Sequence, residues 1–379
     1  MKSIEQLLTK ADLHFQRNEY SQAYDCLRIA GQSGHLYAAL DYAYHIAPNC
    51  PKVAIDYLNA LPDNSKPTVR FHCLLISRFY LFEEMNNELV RELVRLASAG
   101  HAESLIVLLC WTEQNAPVYA QLQSTLGRYN PNIYRQLFMG DPNYADVSTS
   151  LCEDTIITTV LEKQTSLLNK TKTAVDSNSI VCEMSGVLSD IECDYMLLRY
   201  KSLLQPSMVL NPLNGNPMKD DIRTSEVAII TNQWVDWISR EVEVKMSRMS
   251  DTKPQHGEPL NLLRYKDGQE YKPHYDGFTD TQLKQTSIIE EGGQRTHTIL
   301  AYLNSLSEGA THFPKLGITI YPEKGKLVSF LNVDKNLALE KQSYHCGQPV
   351  FTNEKWMLTK WVRSNRTEYG TLVFGSNCK

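Results

Sequence analysis

The sequence has no hydrophobic run long enough to cross a membrane, no block of like charge and no closely spaced cysteine pair. The first absence excludes a spanning helix, which needs about 20 mostly apolar residues. The opening stretch, MKSIEQLLTKADLHFQRNEY, is broken by charges and lacks the apolar centre of a signal peptide. Lysine and arginine number 38 against 43 acidic residues, a net charge of −5. That balance leaves no basic excess for nucleic acid or an anionic membrane surface. The nine cysteines are odd in number and have no Cys-x-x-Cys spacing, so neither a disulfide framework nor a zinc ribbon is indicated. A reducing cytoplasm is the expected setting. At 379 residues the chain has room for two domains, each with its own core.

What is present divides near the middle. The first 140 residues read as helices, with Ala23, Leu27 and Ala30 on one face of the first clear helical stretch. A glycine at 31 or 34 ends that helix, and a second runs from His35 to Ala47. Leu89, Leu93 and Leu96 hold the equivalent positions 66 residues on, and Gly34-His35 matches Gly100-His101 at the same offset. Half of that offset is a period typical of paired-helix repeats, whose stacked units present binding surfaces. The segment resembles tetratricopeptide or Sel1-like repeats, with a plain helical bundle as the alternative. It is expected to be an interaction module over 1–140. A polar linker is expected at 141–175, flanking one helix from about Thr155 to Leu168.

A catalytic unit is expected over 176–379. Ser189 with Glu192 three residues later is a capping box that opens an amphipathic helix. Beyond residue 255 come LNLLRY, HTILAYLN, ITIYP, KLVSFLN and WMLTKWV, short apolar runs divided by Gly, Pro and Asn turns. Many short strands without alternating helices point to a sandwich or jelly roll, giving an α+β, two-domain chain.

One stretch of that half, YKPHYDG, sets His274 and Asp276 one residue apart. In an extended strand the two side chains share a face and can form part of a metal site; alone, they read equally as a hydrogen-bonded surface pair. His345 and, ten residues later, Lys355 supply context. Two histidines and one carboxylate form the facial triad of non-haem Fe(II) oxygenases, which leaves coordination positions open. A ketoacid can occupy two of them and oxygen a third, and Lys355 is suited to hold the ketoacid's far carboxylate.

Residues 180–365 resemble the prolyl 4-hydroxylase family of 2-oxoglutarate- and Fe(II)-dependent dioxygenases. The matching stretches are VLSDIECD, DIRTSEVAI, LNLLRYKDGQEYKPHYDG, GGQRTHTILAYLNSLSEGATHFP, YPEKGKLVSF and SYHCGQPVFTNEKWMLTKWVR, in the family's order. The resemblance implies a double-stranded β-helix with His274, Asp276 and His345 on iron. It implies that Lys355 pairs with the distal carboxylate of 2-oxoglutarate, that Tyr302 and Tyr265 line the pocket, and that Thr311 bonds near the same carboxylate. It also implies O2 as co-substrate and ascorbate as reductant. Arg223 matches a family arginine, read as either structural or substrate-contacting. His297, His312, Trp356 and Cys346 are read as structural. The family's Gly-Gly step is Gly309-Ala310 here, and a small backbone shift is expected at Ala310.

The expected function is hydroxylation of a peptidyl proline, with a protein or peptide substrate held partly by the helical repeats. Hydroxylation of a free amino acid or other small molecule uses the same site. A non-catalytic scaffold needs none of His274, Asp276, His345 and Lys355.

Overall fold

The computed structural model describes residues 3–376 apart from 63, 65, 83, 141, 143–150, 208, 211–216, 219–222, 285–287 and 289. The chain forms two units, one of Met1–Thr165 with the chain's end from Leu372, the other of Ser166–Thr371. The sequence reading places a linker at 141–175; the division falls within it, inside a helix, and residues 143–150 lie outside the described residues. Counting the chain's end with the first unit differs from a catalytic segment running to residue 379. No helix among the described residues is long and apolar enough to cross a membrane.

The first unit is built from α1 (Ile4–Gln16), α2 (Tyr20–Gln32), α3 (Leu36–Ile46), α4 (Pro51–Asn59), α5 (Pro67–Ile76), α6 (Asn87–Ser98), α7 (Ala102–Cys110), α8 (Pro117–Tyr129), α9 (Pro131–Phe138) and α10 (Glu153–Leu168). From α1 to α9, consecutive helices pack on one another. Ala23, Leu27, Ala30, Leu89 and Leu93 are buried; Leu96 is only half-buried, and the neighbouring Ala97 is fully covered instead. The two Gly-His steps close the same turn. Gly34 and Gly100 are left-handed, at φ +101° and +85°, and the His35 and His101 amides donate to Ala30 O and Leu96 O, each at 3.0 Å. Each histidine then caps the next helix. Nδ1 of His35 accepts from the Ala38 amide at 3.2 Å, and Nδ1 of His101 from the Ser104 amide at 3.4 Å.

These caps work only with neutral imidazoles, because a protonated Nδ1 has no lone pair to accept with. Burial pushes His101 below its ordinary pKa, with Glu103, 3.4 Å from Nε2, opposing. A histidine with a lowered folded pKa contributes stability that is present above the unfolded value of about 6.5 and is lost as pH falls. Thermal melts should therefore show the wild type losing stability between pH 7.5 and 5 relative to His101→Asn, whose amide oxygen caps at any pH. The expected gap at pH 5 is about 1 kcal/mol, the usual worth of an N-cap. Parallel curves would exclude this role for His101.

The second unit holds β1 (Thr173–Ala174), β2 (Val181–Met184), β3 (Gln205–Pro206), β4 (Val209–Leu210), β5 (Pro217–Met218), β6 (Glu226–Ile230), β7 (Leu260–Tyr265), β8 (Tyr271–His274), β9 (Arg295–Tyr302), β10 (Thr311–Phe313), β11 (Ile318–Ile320), β12 (Leu327–Leu331), β13 (His345–Gly347) and β14 (Lys355–Arg363). The large sheet runs β1-β2-β12-β9-β14-β7-β6-β3, the small one β11-β10-β13-β8, and β4-β5 is a separate pair. Every described strand pairing within them is antiparallel.

The two faces of the large sheet have different partners. Leu262, Ile299, Ala301 and Leu358 pack with Met196 and Tyr200 of α11 (Asp190–Tyr200) and with Val242 and Met246 of α12 (Trp237–Met249). The capping box read at Ser189 and Glu192 is present at the start of α11, and the buried Glu192 carboxylate also receives Lys245 of α12 at 2.6 and 2.8 Å. On the opposite face, Leu263, Tyr265, Leu300, Tyr302 and Met357 meet Phe313 and Ile320 of the small sheet. The space between the sheets is where the site lies.

Candidate active site

Strand register brings the histidines together. β13 and β8 pair with His345 directly opposite His274, and opposed residues of an antiparallel pair share a face. Their ring centroids are 4.3 Å apart. β8 ends at His274, so Asp276 sits in the bend beyond it rather than in the strand, yet it still turns to the same side. Asp276 Oδ1 lies 3.4 Å from His274 Nε2, and Oδ2 lies 3.6 Å from His345 Nε2. The three donor atoms lie within 4.8 Å of one another.

Their surroundings fix both orientation and protonation. His274 Nδ1 is 2.8 Å from Lys272 O, and His345 Nδ1 is 2.9 Å from Ser343 O. A carbonyl only accepts, so Nδ1 carries the proton in each ring and Nε2 presents its lone pair. Asp276 Oδ2 accepts from Thr298 Oγ1 at 2.7 Å, and Thr298 Oγ1 accepts in turn from Asn332 Nδ2 at 2.9 Å. Burial opposes ionisation of Asp276, but His345, His274 and Arg295 hold its carboxyl well below the usual range. Burial and the neighbouring His274 push His345 down to about 4. At neutral pH the set is therefore one carboxylate and an unprotonated, buried imidazole beside His274. Two Nε2 lone pairs and a carboxylate on one side of a bend fit a divalent first-row metal that keeps open positions, and the bonds behind them are the outer support such ligands need.

This cluster opens onto a cavity lined by Arg223, Leu263, Tyr265, Tyr271, His274, Asp276, Leu300, Thr311, His345, Gly347, Lys355, Met357, Thr359 and Trp361. Lys355 is 1 % exposed, and among the described residues it has no acid partner. The other buried lysines do: Lys245 meets Glu192, Lys360 meets Glu243 and Lys163 meets Glu113. Burial pushes the Lys355 ammonium down to about 7, since nothing but the weakly opposing Cys346 offsets it. Its Nζ sits 5.4 Å from the Tyr265 ring centre and 5.6 Å from that of Tyr302. A buried cation without a counter-charge is a site that an anion completes.

Of the residues expected in the pocket, Tyr265 and Thr311 line it. Tyr302 stands behind it, fully buried, and donates its hydroxyl to Thr311 Oγ1 at 2.8 Å. Thr311 is left with its own hydrogen to give. Ala310 needs no left-handed backbone, because Gly309 takes that conformation at φ +66°. Arg223 proves to face the cavity: it lies 5.1 Å from the Tyr271 ring centre, bonds Ser225 Oγ at 3.3 Å, and has no carboxylate partner among the described residues. His297 bonds Thr296 and His312 bonds Thr319, both away from the site. Trp356 packs against the helix-side core.

Sequence reasoning missed Met357, Thr359 and Trp361. They follow Lys355 at every second position of β14, so strand alternation carried the signal. Trp361 Nε1 is buried with no partner among the described residues, and the ring lies 4.0 Å beneath the Arg295 guanidinium. Arg295 is held by Glu258 at 2.7 Å through both Nε and Nη2, and Arg363 joins the same carboxylate.

Known proteins are similar to this chain in sequence. A family profile described as the 2OG-Fe(II) oxygenase superfamily matches residues 260–363. Prolyl 4-hydroxylase 2 of Arabidopsis thaliana is 32 % identical over 244 residues, 58 % of this chain and 79 % of that protein. Prolyl 4-hydroxylase 1 of the same plant is 33 % identical over 48 % of this chain and 67 % of its own length. For Probable prolyl 4-hydroxylase 7 the values are 32 %, 47 % and 60 %. Among solved structures, the viral collagen prolyl hydroxylase of Paramecium Bursaria Chlorella virus-1, in its 2OG complex, is 28 % identical. It covers 50 % of this chain and 99 % of that one, with a TM-score of 0.39. The chain belongs to the prolyl 4-hydroxylase family of 2-oxoglutarate- and Fe(II)-dependent dioxygenases.

Proposed function

We propose that this enzyme hydroxylates prolyl residues within peptide or protein substrates, consuming 2-oxoglutarate and O2 and releasing succinate and carbon dioxide. The observation that carries the reading is one cavity in which a two-histidine, one-carboxylate set faces a buried lysine that has no acid partner among the described residues. The facing sheets support a double-stranded β-helix. His274, Asp276 and His345 would hold Fe(II), which when bound supplies activation of O2 toward an unactivated C–H bond, with ascorbate as reductant.

The chain's own groups bind and orient. Lys355 offers its charge to the distal carboxylate of 2-oxoglutarate, and Thr311, having accepted from Tyr302, donates to the same group. Thr298 and Asn332 hold Asp276 in place, while Leu263, Leu300 and Met357 supply an apolar wall that excludes water.

The polar groups lining the cavity favour a peptide over a free amino acid. Arg223 and the Trp361 N–H are donors, and Asp276 is the sole carboxylate among the lining residues. A free amino acid would bring an ammonium, for which the cavity lining offers one carboxylate, that of the metal-ligand candidate Asp276. A prolyl residue inside a chain brings carbonyl acceptors and no amide hydrogen. We read the helical unit as a tetratricopeptide- or Sel1-like module that holds part of a protein substrate. A reducing, cytoplasmic setting is supported by the eight described cysteines, all free thiols. Mass spectrometry on proline-rich peptides and on free proline, each incubated with Fe(II) and 2-oxoglutarate, tests the choice. One added oxygen on the peptide alone is expected; addition to free proline alone would overturn the reading.

A further inference from the structure

The loop from Asn304 to Gly309 grips the segment that leads into Lys355. Glu308 Oε2 accepts from the Phe351 amide at 3.0 Å. Its Oε1 accepts from the Thr352 amide at 2.9 Å, the Thr352 hydroxyl at 2.7 Å and the Asn353 amide at 3.2 Å. Asn304 continues the grip on both sides of the lysine, donating from Nδ2 to Glu354 O at 2.8 Å and accepting from the Trp356 amide at 2.9 Å. Beside Glu308, Gly309 leaves the space a Cβ would fill: such an atom would stand 2.4 Å from Val350 Cγ1 and 3.3 Å from Lys355 Cδ. Backbone groups of residues 351–354 and 356 are thus tied to two side chains of one loop.

We propose that Glu308 and Asn304 are positioning residues that aim Lys355 into the cavity and thereby set the affinity for 2-oxoglutarate. The proposal rests on the reading of Lys355 as the anchor of that dicarboxylate. A lysine stem has four rotatable bonds, and its ammonium must meet a carboxylate inside an enclosed space. Fixing the backbone at its base removes alternatives before the anion arrives, which is the benefit of preorganisation. Neither residue lines the cavity, so their effect must pass through Lys355.

Calorimetric titration of the full chain, loaded with zinc in place of iron, tests this. Glu308→Ala should weaken 2-oxoglutarate binding by about tenfold, within the range expected when a reacting group is misplaced by a fraction of an ångström. Zinc affinity should stay unchanged. Glu308→Gln, which keeps an acceptor oxygen, should fall between Glu308→Ala and wild type, and Asn304→Ala should act in the same direction. In the iron enzyme the KM for 2-oxoglutarate should rise while kcat is kept. A lower melting temperature with unchanged 2-oxoglutarate affinity would make Glu308 merely structural and overturn the inference, provided Lys355→Ala still weakens binding. Absence of 2-oxoglutarate binding by the zinc-loaded wild type would overturn the inference and the proposed function together.

Discussion

Replacing His274, Asp276 or His345 by alanine should abolish 2-oxoglutarate-dependent succinate formation while the fold persists. The three contribute donor atoms to one cluster, and a divalent metal held by so few protein ligands has no spare one to lose. Asp276 should be the most severe loss, since it supplies the only negative charge among the three and binds both the Thr298 hydroxyl and the space between the imidazoles. The expected fall is to background, measured with excess iron, and circular dichroism should show the secondary structure intact. A variant that retains near-normal turnover would remove its residue from the ligand set. Thr298 and Asn332 act on the same carboxylate from behind, so their loss should lower metal affinity by about 10- to 100-fold rather than remove it.

The second large effect is expected at Lys355. Lys355→Ala removes one partner of a buried charge pair, a change that costs about 3–5 kcal/mol and hence on the order of a hundredfold or more in affinity. The loss should appear mainly as a raised requirement for 2-oxoglutarate. The pH dependence has a definite sign. Burial pushes the free ammonium down to about 7, and a bound dicarboxylate favours its charged form. Binding then draws a proton onto Lys355 whenever the pH is above that value. Affinity for 2-oxoglutarate should be level below pH 7 and fall as the pH rises beyond it, and Lys355→Met should remove the dependence. An unchanged titration in Lys355→Ala would contradict the role.

How much of this was legible depended on element length. The strands of five or more residues at β7, β9, β12 and β14 gave clear apolar runs. β8, β10 and β13, which carry His274, Thr311 and His345, have only four, three and three residues. So short a stretch holds no period; the His-x-Asp spacing drew attention to His274, His345 entered as its context, and only the family resemblance located Thr311. His274 and Asp276 were correctly paired, although Asp276 lies past the strand whose geometry suggested the pairing. Tyr302 was expected to line the pocket, but sequence could not show that Thr311 stands between it and the cavity. The Gly-His repeat was readable because a left-handed glycine and a capping histidine are both local devices. The return of the chain's end to the helical unit was not, because it depends on tertiary contacts such as the Tyr80 hydroxyl on Leu372 O.

The central claim is that His274, Asp276, His345 and Lys355 form one site that couples 2-oxoglutarate consumption to oxygen transfer onto a prolyl residue. Its most direct test supplies isotopically heavy O2 to the full chain with Fe(II), 2-oxoglutarate and a proline-rich peptide, and follows the label by mass spectrometry. The account predicts one heavy oxygen in the peptide's new hydroxyl and one in succinate, in equal amounts, both lost in Asp276→Ala. Hydroxylated peptide formed without matching labelled succinate, or formed equally well by Asp276→Ala, would contradict it.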